Sequence, residues 1–309
     1  MSEVMQSPAG IESRRRDWAS LMDPSDRTLA IWLLAPTVVL LLLIIVYPVG
    51  RLVFTSFYNL SLTSGLPAQY VGFENFELML EDPVFWDALW NTVLITIITV
   101  PGALLVGLGL ALLANLPFRH RWPVRLALLV PWALPLAFVG LIFAWFFHSQ
   151  YGVVNDVLAR FGGPRIIWFN SPQWAFTAIC LAIIWKTSSF VGLILLAGLQ
   201  TIPRSLYEAA DVDGAGRLRQ FFEITLPLLR PAIVVALIFR TITALQTFDI
   251  PYTMTRGGPG TTTATLAMYI HQNTVSFLDL GYGSALAVAM FVLSMGVTVI
   301  YLRIMGRGH

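Results

Sequence analysis

Six stretches of the chain stay mainly apolar for about the 20 residues that a helix needs to cross a bilayer. They cover 31–57, 89–114, 126–147, 174–199, 231–254 and 282–304. The pattern predicts an all-α integral membrane protein with six transmembrane helices. Pro48, Pro101, Pro131 and Pro135 fall inside these runs. Bundled membrane helices tolerate proline because neighbours satisfy the freed carbonyls, so kinks or a gating hinge are both compatible with them. About 28 mostly polar residues precede the first run, which is too long for the core of a cleaved signal peptide. It reads as a retained anchor. The expected organisation is a tail at 1–29, the first span and an outer loop at 30–86, and a five-span core at 87–305. A long inner loop at 200–230 lies within that core.

Orientation follows from the arginines, which concentrate on the cytoplasmic side of membrane proteins. Alternate segments hold Arg14, Arg15, Arg16 and Arg27; Arg119, Arg121 and Arg125; Arg204, Arg217, Arg219 and Arg230; and Arg303 and Arg307. The opposite segments hold only Arg160, Arg165 and Arg256, with Arg51 at the end of the first run. Both termini are therefore expected in the cytoplasm. The first outer loop is acidic, with Glu74, Glu77, Glu81, Asp82 and Asp87, and reads as a solvated face.

Composition narrows the classes. Charged residues make up 12% of the 309, against about 25% in soluble domains, so lipid is the expected solvent. A net charge of +2 gives no footprint for nucleic acid. Cys180 is the single cysteine, which rules out an internal disulfide or a paired-thiol zinc cage. His120, His148, His271 and His309 are scattered without ligand spacing, so no metal site is expected.

The inner loop carries the most specific signal. Ser205 and Glu208 have capping-box spacing, which predicts a helix start there. Residues 206–213 favour helix, and Gly214 stands where a left-handed stop is expected. A second helical piece follows, with Phe221, Phe222 and Ile224 exposing apolar surface, and Pro227 and Pro231 mark re-entry into the membrane. A rigid helix–glycine–helix bearing apolar residues in water predicts a docking surface.

The whole string resembles the EAA loop of binding-protein-dependent ABC importer permeases. Glu208, Ala209 and Ala210, then Gly214 after three residues, then Ile224, Leu226 and Pro227 after nine more, match its spacing. Residues 71–76, Asn91, Thr92, Tyr207 and the stretch 255–259 are similar to the carbohydrate-uptake branch; the first 30 residues are not matched. The resemblance implies the six-span bundle of a type I importer permease in a bacterial plasma membrane. It implies a coupling helix seated in an ATPase cleft, with roles for Glu208, Ala209, Ala210, Asp213, Gly214, Ala215, Ile224, Leu226 and Pro227. The implied partners are a second homologous permease, two ATP-binding cassette subunits that hold ATP and Mg, and an extracytoplasmic solute-binding lipoprotein. The implied solute is a sugar, such as the disaccharide trehalose, and this chain itself binds no cofactor.

The absence of a phosphate-binding loop agrees with a separate ATPase. Such a loop ends in Gly-Lys-Ser/Thr, and the single lysine, Lys186, follows Trp185 inside a span. A secondary transporter would show an inverted repeat and discontinuous helices, and the sequence gives neither signal. An intramembrane enzyme would need paired aspartates or a His-Glu-x-x-His string, and neither is present.

Ionisable residues inside spans mark functional sites by default. Lys186 precedes Thr187, Ser188 and Ser189 in the fourth span. In the fifth, Arg240, Thr243, Gln246 and Thr247 would fall within about 120° of one helical face, with Asp249 about 60° beyond Gln246. These six residues are candidates for the substrate pathway, with Trp185, Phe190 and Phe248 as aromatic plates. Polar contacts between helices would explain them equally well.

Overall fold

The computed structural model describes residues 26–116 and 122–306. Arg14, Arg15, Arg16, Arg119, His120, Arg121, Arg307 and His309 lie outside the described residues. The chain divides into two compact units, Met1–Phe54 and Thr55–His309. The outer loop, expected to go with the first span, is therefore part of the second unit.

The first unit holds helix α1 (Asp26–Leu41), a π-helical turn at Leu42–Val46, and the start of α2 (Tyr47–Thr55). Pro48 lacks the N–H that would serve the Ile44 carbonyl, and the ladder widens into the π form at that point.

The second unit opens with a two-stranded hairpin, β1 (Tyr58–Asn59) and β2 (Gln69–Tyr70), that pairs Tyr58 with Tyr70. Helix α3 (Glu74–Glu81) leads into α4 (Pro83–Asn115), which Asp82 caps through the Val84 N–H. There follow α5 (Trp122–Ala133), α6 (Leu136–Phe146), α7 (Val153–Arg160) and α8 (Pro172–Gln200). The inner loop forms α9 (Arg204–Val212) and α10 (Arg217–Gln220), and a π turn feeds α11 (Leu226–Leu245). The chain ends with α12 (Asp249–Thr255), α13 (Leu266–His271) and α14 (Leu280–Gly306).

Helices α4 and α8 form the centre of this unit, and small residues let them approach closely. A side chain at Gly107 would sit 2.9 Å from the Ser188 carbonyl oxygen, and one at Gly192 would lie 3.2 Å from the Gly107 oxygen. Around this seam Ile95, Val139, Ile179, Ile183 and Ile250 form one buried cluster. Ala103, Ala111, Val191, Leu195, Leu229 and Ala236 form a second.

Among the described residues five helical segments are long and apolar enough to span a bilayer: Leu29–Thr55, Pro83–Asn115, Pro172–Gln200, Arg217–Leu245 and Leu280–Tyr301. The sixth span differs from the straight helix expected at 126–147. It is α5 plus α6, bent by 96°. Pro135 is the cause. It has no N–H for the Pro131 carbonyl, and its ring displaces that carbonyl.

The fifth expected span breaks in the same way. Helix α11 stops at Leu245, and a new helix begins at Asp249. Pro251 cannot serve the Thr247 carbonyl four residues back; the Thr265 hydroxyl donates to that oxygen at 2.7 Å instead. Arg240, Thr243, Gln246 and Thr247 thus do not share one continuous helical face. Broken helices at membrane depth persist where they are buried in protein or line a cavity, and both breaks border the cleft described next.

Candidate functional site

The break after α11 opens a cleft of about 90 Å³. Arg240, Thr243, Gln246, Thr247 and Asp249 all line it, together with Thr187, Phe248, Ile183, Ile250 and Leu136. The five polar candidates from 240–249 therefore meet at one place, through a turn rather than through a helical stripe. Thr187 lies beside the midpoint of α8, and Thr99, the middle residue of α4, reaches the Arg240 side chain. The cleft is thus level with the centre of two spans.

Arg240 is only 3% exposed. Its Nη2 donates to Thr99 Oγ1 at 2.7 Å, and its Nη1 donates weakly to Thr243 Oγ1 at 3.5 Å. Its Nε has no hydrogen-bond partner. Among the described residues the ion pairs are Arg160–Asp156 and Arg219–Glu223, both exposed, so no carboxylate neutralises Arg240. A guanidinium at bilayer centre costs about 2.5–3.5 kcal/mol even on insertion scales. Phe248 stacks on Tyr252 with centroids 4.9 Å apart and lies 5.1 Å from the His271 ring. It gives the cleft a flat aromatic wall of the kind a sugar ring can lie against.

Lys186 is not among the lining residues. Its ammonium donates to the Pro131 carbonyl at 2.7 Å and also to the Trp132 carbonyl. The first is the oxygen that Pro135 leaves without a donor; both lie in the last turn of α5, where the helix dipole favours a cation. Ser188, Ser189 and Trp185 face a separate, mainly apolar cavity of about 310 Å³ beside Val106 and Leu128. Phe190 packs against Phe239 at 6.4 Å.

The inner loop is a built surface. Helix α9 starts at Arg204 with Pro203 as its N-cap and no side-chain cap, so the Ser205 capping box does not form. Pro203, fixed at φ −62°, starts the helix two positions too early for it. The helix end is as expected. Gly214 has φ +74°, its N–H donates to the Asp211 oxygen at 3.1 Å, and the Ala215 N–H donates to the Ala210 oxygen at 2.9 Å. That pair of bonds is a Schellman stop.

Glu208, Ala209, Asp213 and Gly214 are exposed, Ala210 and Ala215 are half-buried, and no residue of α9 is buried. Two side-chain braces fix the loop, one tying α9 to the turn that feeds α11 and one tying α10 back to α9. The Tyr207 hydroxyl lies 2.9 Å from Thr225 Oγ1. Gln220 Nε2 donates to Asp211 Oδ1 at 2.6 Å and to the Ala215 oxygen at 2.9 Å. Leu206, Val212, Leu218 and Phe222 are exposed, whereas Ile224 packs inward against the Leu195–Leu229 cluster. Leu226 is half-buried and Pro227 exposed at the start of α11. Tyr207, which carried part of the resemblance, and Gln220, which no sequence signal flagged, hold the loop's geometry.

At the start of α4 Asp82 is more than one solvated carboxylate of an acidic loop. Its Oδ2 accepts from Tyr269 at 2.5 Å and from Tyr282 at 2.7 Å, and its Oδ1 accepts from the Val84 N–H at 2.9 Å. Burial works to raise its pKa, but the two tyrosines and the backbone N–H groups of Val84 and Phe85 outweigh it, and the carboxyl sits below its ordinary 3.8. A depressed folded value means that its stabilisation is complete above 3.8 and is lost as pH falls below that value, through the folded pKa. Asp82→Ala should lower thermal stability by about 3 kcal/mol, from one cap and two charge-assisted bonds. In melting curves from pH 8 to pH 3 the deficit should be constant at the upper end and shrink only in the acid range. A deficit that changed between pH 8 and pH 6 would contradict this role.

Asn91 and Thr92 tie α4 to the segment between α12 and α13. Asn91 Nδ2 donates to the oxygens of Thr261 at 2.9 Å and Ala264 at 3.0 Å, and Thr92 Oγ1 accepts from the Leu266 N–H at 2.8 Å. The two residues that carried part of the resemblance thus hold the segment following the cleft.

Comparison with known proteins places this architecture. Residues 84–307 match the family described as binding-protein-dependent transport system inner membrane component. Over 287 residues, 93% of each chain, the sequence is 76% identical to the sulfoquinovosyl glycerol transport system permease protein SmoG of Agrobacterium fabrum. It is 37% identical over 272 residues to the trehalose/maltose transport system permease protein MalF of Thermococcus litoralis, covering 88% of this chain and 92% of the other. The fold is similar, with a TM-score of 0.79 and 24% identity, to a chain of a bacterial ABC transporter that imports the acidic polysaccharide alginate. That match covers 96% of this chain and 98% of the other. The chain belongs to the binding-protein-dependent inner membrane family and is a multi-pass permease subunit of a carbohydrate-uptake ABC importer, a translocation subunit rather than an enzyme.

Proposed function

We propose that this permease imports a sulfonated sugar glycoside, sulfoquinovosyl glycerol or a near analogue, through a pathway shared with a second permease. Two ATPase subunits, which hold ATP and Mg, dock at α9 around Glu208, Ala209 and Ala210, and an extracytoplasmic binding protein delivers the solute. Both termini lie in the cytoplasm. Thr243, Gln246, Thr247 and Asp249 exchange hydrogen bonds with sugar hydroxyls as the bundle rocks between inward and outward states.

One observation carries the choice of solute: 76% identity along 93% of a permease named for sulfoquinovosyl glycerol. The inner-loop geometry supports the docking role, because a braced helix with exposed Leu206 and Val212 is suited to bury against another protein. A disaccharide such as trehalose is the second reading, supported by the 37% identity to a trehalose/maltose permease. Uptake of radiolabelled sulfoquinovosyl glycerol, trehalose, maltose and lactose in a strain deleted for this chain decides between them. Loss confined to sulfoquinovosyl glycerol, restored by the intact gene, is the expected result. Loss of trehalose uptake with sulfoquinovosyl glycerol uptake intact would overturn the proposal.

A further inference from the structure

Among the described residues two cations lie at mid-span depth, Lys186 at the midpoint of α8 and Arg240 against Thr99 at the midpoint of α4, and they are in different situations. The Lys186 ammonium is committed to the Pro131 and Trp132 carbonyls. Arg240 is 3% exposed, unpaired with any carboxylate, and has one nitrogen, Nε, with no acceptor. It borders the cleft, and its hydrogen-bond partners, Thr99 and Thr243, are neutral hydroxyls. A buried guanidinium keeps its charge and presents a planar fork of donors suited to an oxyanion. A site built this way suits an anion.

We infer that Arg240 is the counter-charge for the sulfonate of the solute during passage, and so the residue that makes this pathway selective for an anionic glycoside. The inference rests on the sulfonated-solute reading above and deepens it. Asp249 lies in the same cleft without pairing to Arg240. Its carboxylate would repel a sulfonate, so the anion belongs at the Thr243 side of the cleft. Asp249 is then left to accept from sugar hydroxyls near Gln246 and Phe248.

The test uses the complete importer in proteoliposomes, with binding protein and labelled sulfoquinovosyl glycerol, and initial rates are taken per assembled complex. Wild type is measured first. If it fails to take up this solute but takes up trehalose, the solute reading falls. If wild type transports it, Arg240 is tested alone. Arg240→Gln should reduce the initial rate at least about tenfold, while Arg240→Lys, which keeps the charge, should retain most of it. A glutamine variant within twofold of wild type, or equal losses in both variants, would overturn the inference. Arg240→His keeps the question decidable if the glutamine variant does not assemble. Its rate relative to wild type should rise several-fold from pH 8 to pH 6, as the imidazole gains its proton. A flat ratio would overturn the inference.

Discussion

Gly214→Pro should abolish coupled transport while leaving the membrane helices in place. Gly214 has φ +74°, which proline cannot adopt, and its N–H, which proline lacks, closes the Schellman stop on the Asp211 oxygen. Both losses fall on a loop whose α9 contributes no buried residue to the bundle. The penalty of about 3 kcal/mol or more for a misplaced proline should therefore melt the end of α9 rather than the spans. Uptake should drop by more than about tenfold, and stimulation of ATP hydrolysis by the loaded binding protein should disappear. Glu208→Lys, which reverses an exposed charge on the same helix, should weaken coupling in the same sense without the backbone strain. Full stimulation and normal uptake in both variants would remove α9 from the coupling path.

Lys186→Met should destabilise the assembled permease by about 3 kcal/mol. It leaves two carbonyls at the end of α5 without their donor, and hydrogen bonds to a charged group contribute about 1.5–3 kcal/mol each. Lys186→Arg should recover part of the loss, because the charge at the helix terminus remains. Thermal melting of the purified complex checks this. A methionine variant with wild-type stability and a selectively weakened affinity for solute would return Lys186 to the substrate pathway, where its position in a span first suggested it.

These two residues also mark how far the sequence could be read. The glycine stop of the Glu-Ala-Ala helix was legible because αL geometry depends on residues a few positions apart; the helix start was misplaced, because Pro203 and not Ser205 stands at the N-cap. Spans were legible because lipid demands about 20 apolar residues whatever lies around them. The breaks were not. Pro131 and Pro135 lie in one apolar run, and Pro101 lies in another that stays a single helix, α4. What distinguishes them is whether a distant donor picks up the orphaned carbonyl: Lys186 for Pro131, Thr265 for Thr247. Those partners are 55 and 18 residues away, beyond any local rule. The cleft residues 240–249 were found for an incomplete reason. Helical spacing grouped four of them, but the Pro251 break is what turns Gln246, Thr247 and Asp249 toward Arg240. Thr99 was missed because a lone threonine in an apolar span carries no signal until the guanidinium it meets is known.

The most direct test of the account is the energy source for uptake. Proteoliposomes holding this permease, its partner permease and the ATPase pair are loaded with ATP and Mg, and binding protein charged with labelled sulfoquinovosyl glycerol is added outside. The account expects accumulation against a gradient only when ATP is inside and binding protein outside, unchanged when the proton and sodium gradients are collapsed. Accumulation that persists without ATP and vanishes with the ion gradient would contradict it.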